Sequence, residues 1–420
     1  MRTPLSSWFT TVVIVLLIAG LFTKSWLLLS LTLPLITFIT LSVVFSTPQL
    51  DVLVTRSLDV KRLPEGDVIE VHIDVENRGP RISMLEVYDV LPVDLSVKEG
   101  SNHFVANLAT NETSDFKYKI RCERKGKYTI GPTIMRSWSL MATSYHERIF
   151  PSEEVVTVIP RSEDIRKLKV SPRKTRMWFG QIRSRRAGIG TDFWGIKEYH
   201  SGDELRKINW KASARFDRLF CNQYEGERSG DAIIILDARE ESEVGVANKS
   251  TVESGIRAAV SVASKILERR NRVGLIIQRD VLDWVYPAYG RKQLFRIIDA
   301  LVQVRPGGRW PFEHVTWVVS RFFPAQSQII IITPLIDKKA IDCVISLCAR
   351  GHDILIISPS PLDIEEGGEG LPEKVARQTL GMERENIIRR LRRYANVVDW
   401  NTSKPLAVAL RVVGPYPGRR

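Results

Sequence analysis

The sequence predicts a membrane-anchored multidomain chain. Two N-terminal transmembrane helices come first, then an antiparallel β-sandwich, then a doubly wound α/β domain. Three observations carry this reading. Two uncharged apolar runs stand near the N-terminus. Short strands of alternating pattern follow. From residue 231 onward, continuously apolar strands alternate with amphipathic helices. With 420 residues the chain exceeds one hydrophobic core and suits two or three units.

Residues 8–22 read WFTTVVIVLLIAGLF, without a charge. After Lys24-Ser25, residues 26–45 add about twenty more apolar positions, the length a bilayer core requires. A signal peptide is the competing reading of the first run, but no small-residue cleavage pattern follows it. Residues 1–47 are therefore expected to form a helical hairpin, with 8–45 in contact with lipid and Pro34 tolerated as a kink. Arg2, Arg56, Lys61 and Arg62 would share one side and Lys24 the other. That bias predicts a two-span cell-membrane protein whose large remaining part faces the cytoplasm. Cys122, Cys221, Cys343 and Cys348 form no CxxC pair and no zinc spacing, which suits reduced thiols in a reducing compartment.

Residues 48–160 read as the sandwich. VIEVHIDVEN (68–77) alternates with period two and stops at Asn77-Arg78-Gly79-Pro80. MLEVYDVLP, FKYKIRCERKGKYTIGP and VVTVIP repeat the pattern, so an immunoglobulin-like arrangement is expected. His72, His103 and His146 are isolated, and no catalytic set appears. This part reads as a spacer or binding module.

The formal net charge of +13 is concentrated locally. Residues 161–187 form a basic linker, in which ten Lys/Arg face only Glu163 and Asp164. Such a run suits anionic lipid, an acidic partner or nucleic acid, and RRLRR (389–393) is a second one. No nucleic-acid fold accompanies either run, so nucleic acid is the least favoured of the three.

The α/β domain, 231–420, opens with DAIIILD, a strand buried on both faces. A helix over 249–270 and a strand pair, RVGLIIQR and VLDWVYP, follow. GRKQLFRIIDALVQV is a helix, QIIIITP a strand, KKAIDCVISLCARG a helix and DILIISP a strand. A long helix over 372–395 and a short strand over 396–400 complete the series. Ligands of such sheets sit at the carboxyl ends of the strands, and the first strand ends at Asp237.

Residues 188–230 link these parts with dense chemistry. Gly188 and Gly190 permit unusual backbone angles, yet a lone G-x-G is a weak phosphate signal and no P-loop occurs. His200-Ser201-Gly202-Asp203 reads as a turn. Asp203, Arg206 and Arg215 suit a carboxylate–guanidinium network, with Trp210 placed to stack on an arginine. Such a network either pins the segment structurally or forms a partner-docking surface.

Gly188, Gly190, Phe193, Gly195, Tyr199, Gly202, Asp203, Arg206, Ile208, Trp210, Ala214 and Arg215 match the signature of one family. On these residues the chain resembles the domain-of-unknown-function-58 family. That family is similar to von Willebrand factor A domains in its C-terminal part, and its layout also has two N-terminal spans and a sandwich. The resemblance implies a MoxR-type AAA+ ATPase as partner, other von Willebrand A-type proteins as further partners, and a role in chaperone-like or envelope-related assembly.

Metal-binding domains of the von Willebrand A type use D-x-S-x-S after the first strand, because hydroxyls and a carboxylate supply hard oxygens. Here the run is Asp237-Ala238-Arg239-Glu240-Glu241, with Arg239 and Glu241 at the serine positions. The chain is expected to hold no metal there. Asp237, Glu240 and Glu241 form a degenerate candidate for Mg²⁺. No cofactor is predicted. The leading expectation is a membrane-anchored, cytoplasm-facing interaction or scaffold protein without enzymatic activity. The alternatives are a hydrolase using Asp203, His200 or Asp237, and a protein whose basic patches bind nucleic acid or anionic lipid.

Overall fold

The computed structural model describes residues 4–44, 50–139, 143–165, 176–246, 249–309, 311, 313–323, 327–364 and 370–412. The chain divides into two compact units, Met1–Ile159 and Pro160–Arg420.

The first unit opens with α1 (Pro4–Phe22) and α2 (Trp26–Val44), joined at Lys24, which takes a left-handed conformation. Phe9 packs on Phe38 with ring centroids 5.4 Å apart. Thr10, Thr11, Thr32, Thr37 and Thr40 donate their hydroxyls back to carbonyls of their own helices. The expectation of two membrane spans is overturned. Among the described residues, no helix is long and apolar enough to cross a membrane. Hydroxyl side chains dilute both apolar runs, and Pro34 sits inside α2. The two-span cell-membrane, cytoplasm-facing placement falls with the spans.

The rest of this unit is β-structure. Its strands are β1 (Val52–Leu58), β2 (Arg62–Pro64), β3 (Val68–Asn77), β4 (Ile82–Asp89), β5 (Leu95–Glu99), β6 (His103–Leu108), β7 (Thr113–Cys122), β8 (Gly126–Ile130), β9 (Thr133–Trp138), β10 (Tyr145–Phe150) and β11 (Glu154–Ile159). They form sheets in the orders β1-β3-β7-β5, β10-β9-β4-β6 and β2-β11-β8. The period-two pattern explains β3. Ile69, Val71, Ile73 and Val75 are buried, while Glu70, His72, Asp74 and Glu76 turn outward. Its antiparallel register sets Val71 opposite Tyr118 and Ile73 opposite Phe116. One apolar core draws on all three sheets, through Ile73, Leu85, Met135 and Val156 among others.

The second unit begins with a long antiparallel ribbon of β12 (Arg176–Glu198) and β13 (Phe220–Ser229). The expected linker thus contains the start of a strand, and its residues 166–175 lie outside the described residues. The helix α3 (Trp210–Phe216) sits between the two arms. Next come β14 (Asp231–Asp237), β15 (Gly245–Val246), β16 (Lys249–Ser250), α4 (Thr251–Glu268), β17 (Arg272–Gln278), β18 (Leu282–Ala288), α5 (Gly290–Val302) and α6 (Glu313–Phe322). The chain continues through β19 (Gln328–Ile332), α7 (Lys338–Ala349), β20 (Asp353–Pro359), α8 (Leu371–Leu391), β21 (Asn396–Trp400) and the short α9 (Leu406–Ala409).

Six strands form one sheet in the order β18-β17-β14-β19-β20-β21. All neighbours are parallel except β18, which runs antiparallel to β17. Both faces of β14 are covered, which its unbroken apolar run requires. Ile233 and Ile235 share a core with Val315 of α6, Val344 of α7 and Leu391 of α8. On the other face α4 lies so close that a Cβ on Gly255 would come within 3.0 Å of Leu236. From β14 the chain builds β17 and β18 to one side, then crosses to β19 on the other. The carboxyl ends of β14 and β19 therefore flank a topological switch point, where such sheets place their functional groups.

Candidate functional site

Two places gather the residues singled out in the sequence. The first is the turn between β12 and β13. Gly188 pairs with Tyr224, and Gly190 falls in the irregularity between Gly188 and Phe193. The ribbon closes where Tyr199 N donates to Leu219 O at 2.8 Å. Gly202 has φ +111°, so the turn demands a residue without a Cβ. Asp203 then caps the turn from within. Its Oδ2 accepts from the His200 amide at 2.9 Å, and its Oδ1 accepts from Lys197 Nζ at 2.6 Å. Lys197 foremost, and that amide, hold the Asp203 carboxyl below its ordinary pKa. His200 Nδ1 lies 2.9 Å from the Glu198 carbonyl. These partners hold a turn and set up no nucleophile–base pair.

Leu205–Lys207 forms a 3₁₀ turn, and α3 follows with Asn209 as its N-cap, accepting from Ala212 N at 3.0 Å. The buried Ser213 accepts from Phe220 N at 2.9 Å and so ties α3 to β13. The expected network of Asp203 with Arg206 and Arg215 does not form. Lys197, two strand positions before Tyr199, takes the carboxylate, and Arg206 and Arg215 stand on the exposed surface. Trp210 begins α3 and is 69% exposed. Phe193 at 61%, Leu205 at 69% and Phe216 at 62% are comparably open.

The second place is the carboxyl end of β14. Asp237 is 2% exposed and Arg239 1%, and the two pair through both carboxylate oxygens. Arg239 Nε donates to Asp237 Oδ1 at 3.0 Å and Nη2 to Oδ2 at 3.1 Å. Oδ2 also accepts from Ser242 Oγ at 2.8 Å and Thr333 Oγ1 at 2.9 Å. The remaining edge of the guanidinium, Nη1, donates to Asp337 Oδ2 at 2.9 Å and lies 3.6 Å from Glu241. Burial opposes the charge on Arg239. The bonds and attraction from Asp237 and Asp337 outweigh that and raise its pKa above the ordinary arginine value. Glu240 turns the other way, 3.5 Å from Arg309.

The loop from 305 to 309 closes over this pair. Glu240 N donates to Gly308 O at 3.1 Å and Gly307 N to Ala238 O at 3.1 Å. Gly308 has φ +73°, and a Cβ there would collide with the Asp280 backbone. A second buried arginine, Arg384 of α8, bridges the neighbouring strand ends. It donates to Pro334 O at 2.6 Å, Ser358 Oγ at 2.8 Å and Asp399 Oδ1 at 2.7 Å.

Of the degenerate metal candidates, only Asp237 lies at the centre of this arrangement. Among the described residues, no group of three or more His, Cys, Asp or Glu side chains is arranged to hold a metal ion. Sequence reasoning passed over Ser242, Thr333 and Asp337. The signal for Thr333 was its place directly after a wholly apolar strand, β19, which neighbours β14. Asp337 has the same origin, four residues further along the same strand-end loop.

No curated protein matches the sequence. Among solved structures, the cupredoxin domain of amoB from Nitrosocaldus yellowstonii is 12% identical, covers 27% of this chain and 88% of its own, and has a TM-score of 0.20. The CARDB domain of a Pyrococcus furiosus protein is 14% identical over 27% of this chain and 91% of its own, with a TM-score of 0.18. Native alpha-2-macroglobulin from Escherichia coli is 15% identical over 27% of this chain and 24% of its own, with a TM-score of 0.21. Likenesses this low carry no argument. The ribbon's end, α3 and the sheet through most of α8 fall within residues 195–390, which match the family described as "Protein of unknown function DUF58", and this match supports the DUF58 family for the chain.

Proposed function

We propose that this chain is an interaction or scaffold protein that works with an AAA+ ATPase of the MoxR type in chaperone-like or envelope-related assembly. Its second unit is read as a von Willebrand A-like domain, and residues 193–219 as the docking surface. One observation carries the reading. Phe193, Leu205, Trp210 and Phe216 are each more than 60% exposed within one short segment. Single exposed apolar residues are ordinary, but a concentration of large ones marks interaction sites. Arg206, Lys211, Arg215 and Arg218 stand among them on the surface. An acidic, amphipathic partner surface matches that mixture.

The α/β unit supports binding over turnover. The switch point, where sheets of this kind hold small ligands, is filled by the protein's own Arg239, Asp337, Ser242 and Thr333. Other von Willebrand A-type proteins are the second class of partner under this reading.

Crosslinked full-length protein should retain a MoxR-type AAA+ ATPase. Trp210→Ala and Arg206→Ala should each weaken that capture with the unfolding midpoint unchanged. Failure of the wild-type protein to retain any AAA+ ATPase would sink the reading. Equal retention by both variants would remove residues 193–219 as the surface.

A further inference from the structure

We infer that the Arg239 guanidinium is a built-in cation that stands in place of a divalent metal at the head of the sheet. The oxygens around it are those a hard cation would use. Asp237 supplies both carboxylate oxygens, Asp337 a third, and Ser242 and Thr333 lie within hydrogen-bond reach of Asp237. They converge at the carboxyl end of the central strand of a doubly wound sheet, the place where a ligand or metal is expected. A side chain already fills it.

The donor chemistry agrees with this. A divalent cation of the Mg²⁺ class needs about six oxygen ligands. Arg239 takes both Asp237 oxygens and one Asp337 oxygen. It stands where the D-x-S-x-S pattern would place a hydroxyl. The two hydroxyls that remain, Ser242 and Thr333, are turned to donate to Asp237 Oδ2. A guanidinium offers five donors and no acceptor, so it neutralises carboxylates but cannot exchange with solvent ions. Its full burial means the cation cannot be diluted, chelated or replaced.

Recognition at this end of the sheet therefore does not run through a metal that bridges to a partner's carboxylate. The head of the sheet keeps its charge balance at any divalent-ion concentration. The inference concerns this site alone and stands independently of the docking surface on residues 193–219.

Titration of full-length protein with MnCl₂ and with MgCl₂, followed by calorimetry and by the unfolding midpoint, tests it. The wild type should show no saturable binding and no shift of midpoint. Arg239→Ser removes the internal cation and restores a hydroxyl. Its midpoint should fall, and Mn²⁺ should raise it again. Arg239→Lys keeps a cation and should not respond to metal. Saturable Mn²⁺ binding to the wild type that is lost in Asp337→Asn would overturn the inference. So would an Arg239→Ser protein as stable as the wild type, or one that is destabilised and indifferent to metal. If Arg239→Ser does not fold, Arg239→Gln takes its place in the same titration: a midpoint raised by Mn²⁺ in that variant and not in the wild type upholds the inference, and indifference to metal overturns it.

Discussion

Each unit holds a buried arginine–aspartate pair at its core, Arg56–Asp89 in one and Arg239–Asp237 in the other, and the two are built differently. In the β-rich unit, Arg56 of β1 meets Asp89 of β4, with both side chains essentially sealed from solvent. The Nη groups of Arg56 also donate to neutral groups. Nη1 donates to the Ile130 carbonyl at 2.8 Å and to the Ser152 carbonyl, and Nη2 to Thr133 Oγ1 at 2.8 Å. Asp89 also accepts from the Tyr118 hydroxyl at 2.5 Å. One positive charge answers one negative charge. In the α/β unit, Arg239 answers two carboxylates, Asp237 and Asp337, with Glu241 close by. The first pair staples strands across a sandwich core. The second offsets part of an excess of acid at a switch point.

The difference lies in what happens when the arginine is removed. Burial pushes the Asp89 pKa up, against the pull of Arg56 and the Tyr118 and Thr133 hydroxyls. A single buried acid of that kind can take a proton and become neutral. Two converging acids repel, and either a shared proton or another cation relieves them. The sandwich pair is therefore repairable by pH, and the switch-point pair by pH or by a cation.

The largest expected effect is at the switch point. Arg239→Met should cost about 3–5 kcal/mol, because breaking a buried pair strands its partner charges. Urea denaturation at neutral pH measures the loss. Arg56→Met should cost about 3 kcal/mol at neutral pH on the same grounds. Acid should recover part of the loss in both variants as the stranded carboxylates protonate. The contrast is that Mn²⁺ should recover stability in Arg239→Met and not in Arg56→Met, and equal recovery by Mn²⁺ in both would dissolve the distinction.

Two glycines guard these pairs and offer a smaller test. A Cβ on Gly131 (φ +108°) would collide with Arg56, as one on Gly308 would with Asp280. Alanine at either should cost about 1–3 kcal/mol, through left-handed backbone strain and the collision. Only Gly308→Ala should disturb the loop over Asp237, read as faster hydrogen exchange at residues 237–243.

A pH slope of about 1 kcal/mol or less should separate the units in the wild type. Asp89 has a raised pKa in the folded state, so the native protein binds its proton more tightly than the unfolded chain. Its contribution is complete below the ordinary carboxylate pKa and is lost as pH rises through the raised value. Hydrogen exchange corrected for intrinsic rates should show β4 and β9 protection falling over that window. Protection of β14 should not follow it. The smallest effect is Trp210→Ala, which should change stability by less than about 0.5 kcal/mol because the ring is mostly exposed.

Much of the architecture was legible because it rests on periodicity. The alternation of 68–77 became β3, and DAIIILD became β14 between two covered faces. The strand series to β21 came out in the expected order. The helix α6 was missed, since EHVTWVVSRF follows a Gly- and Pro-rich stretch that reads as loop. The N-terminal runs were apolar enough to suggest spans, yet the helices they form are not long and apolar enough.

Local pattern determined which segments are strands and helices, because side chains repeat every two or 3.6 residues whatever lies around them. Which groups meet across distance was decided by the tertiary structure alone. Asp203 pairs with Lys197, which the end of β12 sets at 2.6 Å, and not with the arginines the spacing suggested. Thr333 reached Asp237, and Asp337 reached Arg239, only because β19 pairs in register beside β14. Arg56 and Asp89 met only because a sandwich folds β1 and β4 onto one core. Chain spacing carries no record of such pairings, since they follow from sheet order and from the cost of leaving a buried charge alone.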